Sequence, residues 1–127
     1  MPAIADITVK KANGTTDVTF TKLTASGGDK SPAIWQSLTS GTSKAARHIF
    51  MMLSQPNGTN TYRRVSTKFT FPYMNTAGEN KVLVVSFESA IPADITDTDL
   101  DEAIHQGCNL NASALIKSSF KEGYAPT

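Results

Sequence analysis

The stretch Arg47-His-Ile-Phe-Met-Met-Leu-Ser-Gln-Pro-Asn-Gly-Thr-Asn-Thr-Tyr-Arg-Arg-Val-Ser-Thr-Lys-Phe-Thr-Phe-Pro72 decides how the rest of this chain is read. It predicts a long β-hairpin, Arg47 to Gln55 running out and Thr61 to Phe71 running back, around Pro56-Asn57-Gly58-Thr59-Asn60. Asn-Gly supplies the positive φ that a tight reversal needs, and the flanking runs are rich in Ile, Phe, Val, Tyr and Thr. On the return strand Val65, Thr67, Phe69 and Phe71 fall on one face, and Tyr62, Arg64, Ser66, Lys68 and Thr70 on the other. One face suits a core, and the other carries charge, hydroxyls and a ring.

Outward from the hairpin the same alternation recurs. Ile7 and Val9, a turn at Asn13-Gly14, then Val18 and Phe20 predict an amino-terminal hairpin over residues 1–23. Pro32 to Leu38 reads as a short strand carrying Trp35, the single tryptophan and an expected core anchor. Polar loops are expected at Thr24 to Ser31, Thr39 to Lys44 and Tyr73 to Asn80, the last turning at Gly78. Lys81 to Ile91 is the strongest strand, with Leu83, Val85, Phe87 and Ile91 on one side and Val84, Ser86 and Glu88 on the other.

After Pro92 the period lengthens. Thr98 with Asp101 three residues on predicts a capped helix start, and the local acids suit the positive end of a helix dipole. Leu100, Ala103, Ile104 and Cys108 keep helical spacing, with an interruption expected at Gly107 and Asn109. A second helix follows from about Asn111 to Lys121, striped by Leu115, Ile116, Ser119 and Phe120 and stopped by Gly123. Strands first and helices last is the α+β order, and 127 residues read as one domain: hairpin 1–23, sheet 32–91, helices 97–122.

Charge is distributed unevenly. From Lys30 to Gly78 there are six basic residues and no acid, whereas Asp94, Asp97, Asp99, Asp101 and Glu102 cluster without a base. Two surfaces facing different surroundings would follow, the basic one able to meet phosphate. A lone Cys108 excludes an internal disulfide and argues against a Cys-based metal site. The run Asp97-Asp99-Asp101 is not a calcium loop, because its sixth position is Glu102 and its twelfth Cys108. No nucleophile elbow, phosphate loop or His pair at ligand spacing occurs, so the expectation is a non-enzyme with no metal and no cofactor. No apolar run reaches membrane-span length, and the amino terminus lacks a signal-peptide layout.

Several pieces in order resemble the coat proteins of levivirus-type single-stranded RNA bacteriophages. They are Asn13-Gly14-Thr15-Thr16-Asp17-Val18-Thr19, Ile34-Trp35 before a Ser/Thr-rich loop, Ser54-Gln55-Pro56 with Tyr62-Arg63-Arg64-Val65, Ile91-Pro92, and the interrupted helix pair. The resemblance implies an amino-terminal hairpin, a five-stranded antiparallel sheet and two carboxy-terminal helices. It further implies an interlocked, obligate homodimer with a continuous ten-stranded sheet, closing into a T=3 icosahedral virion capsid assembled in the bacterial host cytoplasm. The sheet would face packaged single-stranded RNA and the helices the exterior, with an RNA hairpin as a possible target for translational repression. Combined with strand alternation, the implied RNA-binding set is Asn60, Tyr62, Arg64, Ser66 and Lys68 on the return strand, Ser86 and Glu88 on the last strand, and His48 on the outgoing strand. On that outgoing strand the same face is expected to read His48, Phe50, Met52 and Ser54, with Val84 joining from the last strand. A non-viral nucleic-acid-binding β-sheet module is the alternative; it shares the basic face without the assembly.

Overall fold

A computed structural model describes residues 2–38, 47–56 and 61–127. Two compact units make up the chain, Met1–Ile91 and Pro92–Thr127.

The first unit is a six-stranded antiparallel meander whose spatial order equals its chain order: β1 (Ile7–Lys10), β2 (Asp17–Thr24), β3 (Ala33–Ser37), β4 (His48–Pro56), β5 (Tyr62–Met74) and β6 (Asn80–Pro92). The amino-terminal hairpin is continuous with the sheet, because β2 pairs with β3. Counted from β2 the sheet has five strands, and β1 adds a sixth at one edge. Asn13 explains the first reversal: its Oδ1 accepts from the backbone N–H of Thr15 and Thr16, each at 3.0 Å, while Gly14 takes φ 74°. This is the Asx-turn use of an asparagine, with glycine absorbing the left-handed residue. The β5–β6 reversal is tighter than the expected Tyr73–Asn80 loop, since pairing continues to Met74 and resumes at Asn80. There Asn75 Oδ1 accepts from Ala77 and Glu79 N–H, and Gly78 has φ 82°. The expected central turn at Asn57–Asn60 and the expected loop Thr39–Lys44 lie outside the described residues.

Aromatic residues pack one face of the sheet. Trp35 is its best-buried apolar residue, 8% exposed, and its indole N–H donates to the Ala5 carbonyl at 2.7 Å. Trp35 meets Phe50 at 5.6 Å between ring centroids, and Phe20 meets Phe69 edge-on at 5.8 Å. The anchor role expected of Trp35 follows from a large apolar body with a satisfied polar tip.

The second unit holds α1 (Asp97–Asn111) and α2 (Ala114–Glu122). The cap of α1 is Thr96, two residues before the expected Thr98; its hydroxyl accepts from Asp99 N–H at 3.3 Å. Both threonines have an Asp three residues on, and capping from the earlier one keeps Asp97 and Asp99 in the first turn, where the dipole favours them. The interruption expected at Gly107 and Asn109 does not occur. Helix α1 runs through both, because one glycine costs only about 1 kcal/mol in a helix whose other residues keep their hydrogen bonds. The break falls instead at Ala112–Ser113, where Ser113 is extended (φ −67°, ψ 151°) and its hydroxyl donates to the Leu110 carbonyl. Gly123, at φ 81°, closes α2 as expected, its N–H donating to the Ser119 carbonyl at 2.9 Å.

Candidate nucleic-acid interface

Residues directly opposite in antiparallel strands project to the same face, so the register sorts every side chain. Phe50 lies opposite Phe69, Met52 opposite Thr67 and Ser54 opposite Val65. On the reverse face Gln55 lies opposite Arg64, Leu53 opposite Ser66, Met51 opposite Lys68 and Ile49 opposite Thr70. The return-strand set Tyr62, Arg64, Ser66 and Lys68 is therefore held on one face, as the alternation predicts. Glu88 joins it, its carboxylate 3.4 Å from the Arg64 guanidinium across the β5–β6 pairing, and alternation along β6 brings Ser86 and Val84 with it. Asn60 lies outside the described residues.

His48 does not belong to this face. It projects with Phe50, Met52 and Ser54 onto the aromatic side, where its ring stacks on Phe71 with centroids 4.0 Å apart. It is 9% exposed, and burial lowers its pKa below the ordinary 6.5. The physical reason for the difference is that β4 is apolar on both faces. Periodicity alone cannot choose between Ile49-Met51-Leu53 and Phe50-Met52, and a one-residue slip exchanges the two sets.

The outgoing strand thus gives the polar face Ile49, Met51, Leu53 and Gln55. Arg47 also comes to this side, donating to the Gln36 side chain at 3.4 Å, with Gln36 opposite Ile49. Arg47, Gln36 and Gln55 are among the polar residues that alternation along the sequence leaves out of the site. The signal that could have found them is the β4 phase set by the aromatic pairs, Phe50 with Trp35 and Phe69.

Acids from outside the basic segment reach into it. Arg63 is paired with Asp29, from the loop before β3, and Arg64 with Glu88. The same loop is tied to β4 by the Lys30 N–H, which donates to the Ser54 carbonyl at 2.8 Å. Arg47 and Lys68 have no acidic partner among the described residues. The arrangement is a sheet face with cations, amides, serine hydroxyls, the Glu88 carboxylate and the half-exposed Tyr62 ring. Such a face can take phosphates electrostatically and bases by stacking.

No family profile matches the chain, and no curated protein does. Solved structures do share its fold across almost the whole length. The virus-like particle of Beihai levi-like virus 21 matches with TM-score 0.79 at 16% identity, covering 99% of each chain. That of bacteriophage AVE019 matches with TM-score 0.79 at 12% identity over 98% of each. That of bacteriophage ESE058 matches with TM-score 0.76 at 16% identity, over 99% of this chain and all of the other. The chain has the fold of these particle subunits: an antiparallel sheet followed by two helices.

Proposed function

We propose that this chain is the coat protein of a single-stranded RNA bacteriophage, a structural subunit that pairs with a second copy and closes into an icosahedral virion shell around RNA. The observation that carries the reading is end-to-end correspondence of the fold with subunits of phage virus-like particles, with no large insertion on either side. Its role in this reading is assembly.

Exposed apolar surface supports the pairing. Strand β6 ends the sheet, is 13 residues long, and leaves Val82 56% and Leu83 54% exposed although they point to opposite faces. An edge strand that is apolar on both faces is an open template for another strand. Pairing two copies along it joins their sheets into one, ten strands when counted from β2 of each copy and twelve with the β1 strands at the outer edges. No side chain of α1 or α2 is buried, and Leu110, Leu115 and Phe120 are each more than 60% exposed. Ile116, Phe120, Tyr124 and Pro126 line an open apolar hollow of about 400 Å³. Covering such surface with a second subunit, over an interface of about 2,000 Å² or more, would contribute roughly 25 cal/mol per Å² of its apolar part, set against the cost of association and side-chain ordering.

In this reading the face bearing Tyr62, Arg64, Ser66, Lys68, Ser86 and Glu88 meets packaged RNA, extended by Arg47, Gln36 and Gln55. The same face would bind an RNA hairpin if the protein also represses translation. Expression of the chain alone in bacteria, followed by electron microscopy of the lysate and extraction of nucleic acid from sedimenting material, tests the proposal. Closed particles containing RNA are expected; a soluble monomer without particles would overturn it.

A further inference from the structure

His48 sits among aromatic rings at the start of β4. Its imidazole stacks on Phe71 at 4.0 Å with the ring planes 27° apart, and meets Phe69 edge-on at 6.2 Å. Across β3 it faces Ser37, which is 1% exposed. The neighbouring strands present no carboxylate to this face. Beside it β3 contributes Trp35 and Ser37, and β5 contributes Thr67, Phe69 and Phe71. The charged group that β2 adds is Lys22, opposite Trp35, which is itself a cation. Arg47, next in the chain, points to the other face and is held by Gln36. A proton arriving on His48 therefore creates a charge with restricted access to water and no counter-ion on the described strands beside it. The π-face of Phe71 offsets that only in part, since desolvating an ion outweighs one ring contact.

We propose that His48 is an acid-sensitive latch of the sheet: neutral, it completes the aromatic layer joining β3, β4 and β5; protonated, it leaves Phe71 for water and the layer opens. Because burial depresses its pKa, the unfolded chain binds the proton more readily than the folded one. Stability is therefore fullest above the ordinary histidine value of 6.5 and falls as pH drops below it, the folded-to-unfolded ratio declining up to tenfold per pH unit until the folded pKa is reached. The inference rests on the sheet and is independent of the capsid reading.

The chain contains two histidines, which makes the test assignable. His105 is exposed on α1, 3.3 Å from Asp101, and serves as the control. Thermal unfolding of the full chain is followed from about pH 8 to about pH 5, where histidine is the side chain that ordinarily titrates. Wild type, His48→Phe, His48→Gln and His105→Gln are compared, and the His48 ring is titrated by NMR in the wild type. A wild-type midpoint that falls below pH 6.5, unchanged by His105→Gln and flattened by His48→Phe, is expected, with the His48 ring titrating below 6.5. Should His48→Phe fail to fold, His48→Gln and the wild-type ring titration decide. A His48 ring titrating at or above 6.5, or a His48 variant that keeps the wild-type pH slope, overturns the proposal.

Discussion

At the residue scale, the polar face separates its cations into two kinds. Arg64 shares its charge with Glu88 at 3.4 Å, while Lys68 and Arg47 have no acidic partner among the described residues. Removing a cation that neutralises one phosphate should reduce the salt dependence of RNA binding by about one unit of slope. Arg64→Ala combined with Lys68→Ala is therefore expected to lower encapsidated RNA and flatten that slope, and an unchanged slope would remove both residues from the interface. Glu88→Gln should act in the opposite direction, raising affinity several-fold by freeing Arg64. A double-mutant cycle with Arg64→Ala measures how much of that gain passes through the pair. In the aromatic layer, Trp35→Ala removes a large ring and the indole donor to Ala5, and should cost about 3–5 kcal/mol in urea-unfolding experiments.

At the element scale, the two helices expose what local sequence can and cannot say. Thr96→Ala should destabilise α1 by about 1 kcal/mol, since it deletes the cap on Asp99 N–H. Gly107 and Gly123 make a matched contrast. Gly107 has ordinary helical geometry and open space where a Cβ would sit, so Gly107→Ala should stabilise the fold by about 0.5–1 kcal/mol. Gly123 has φ 81° and a side chain there is strained, so Gly123→Ala should cost about 1 kcal/mol. Thermal midpoints of the two variants moving in the same direction would contradict these assignments. Strands and helices were legible from the residues because alternation of two and spacing of near four are imposed by backbone geometry. The helix boundary at Ala112–Ser113 was not, because glycine at 107 and serine at 113 are both tolerable breakers, and only hydrogen bonds of the folded chain choose between them.

At the scale of the whole molecule, the apolar surface left on β6, α1 and α2 fits a chain that is incomplete as a monomer. If dimerisation supplies much of the stability, the thermal midpoint rises with protein concentration, and a midpoint constant across a hundredfold range would exclude an obligate dimer. A charged substitution at the edge, Val82→Lys or Leu83→Lys, should block assembly while leaving the far strands β1–β4 paired, read by particle yield alongside circular dichroism.

The order of elements, the two-faced return strand from Tyr62 to Phe71, the anchor at Trp35 and the stop at Gly123 can all be read from the residues, because each rests on the covalent chain and its nearest neighbours. Which face β4 turns to which side is set by packing across the sheet. With apolar residues in both phases, that strand takes its register from the rings of Trp35 and Phe69 across the sheet, and the same register takes His48 away from the polar face and brings Arg47, Gln36 and Gln55 to it. The pairing of Arg63 with Asp29 and of Arg64 with Glu88 was likewise decided in three dimensions, since 34 and 24 residues separate the partners and no local pattern links them.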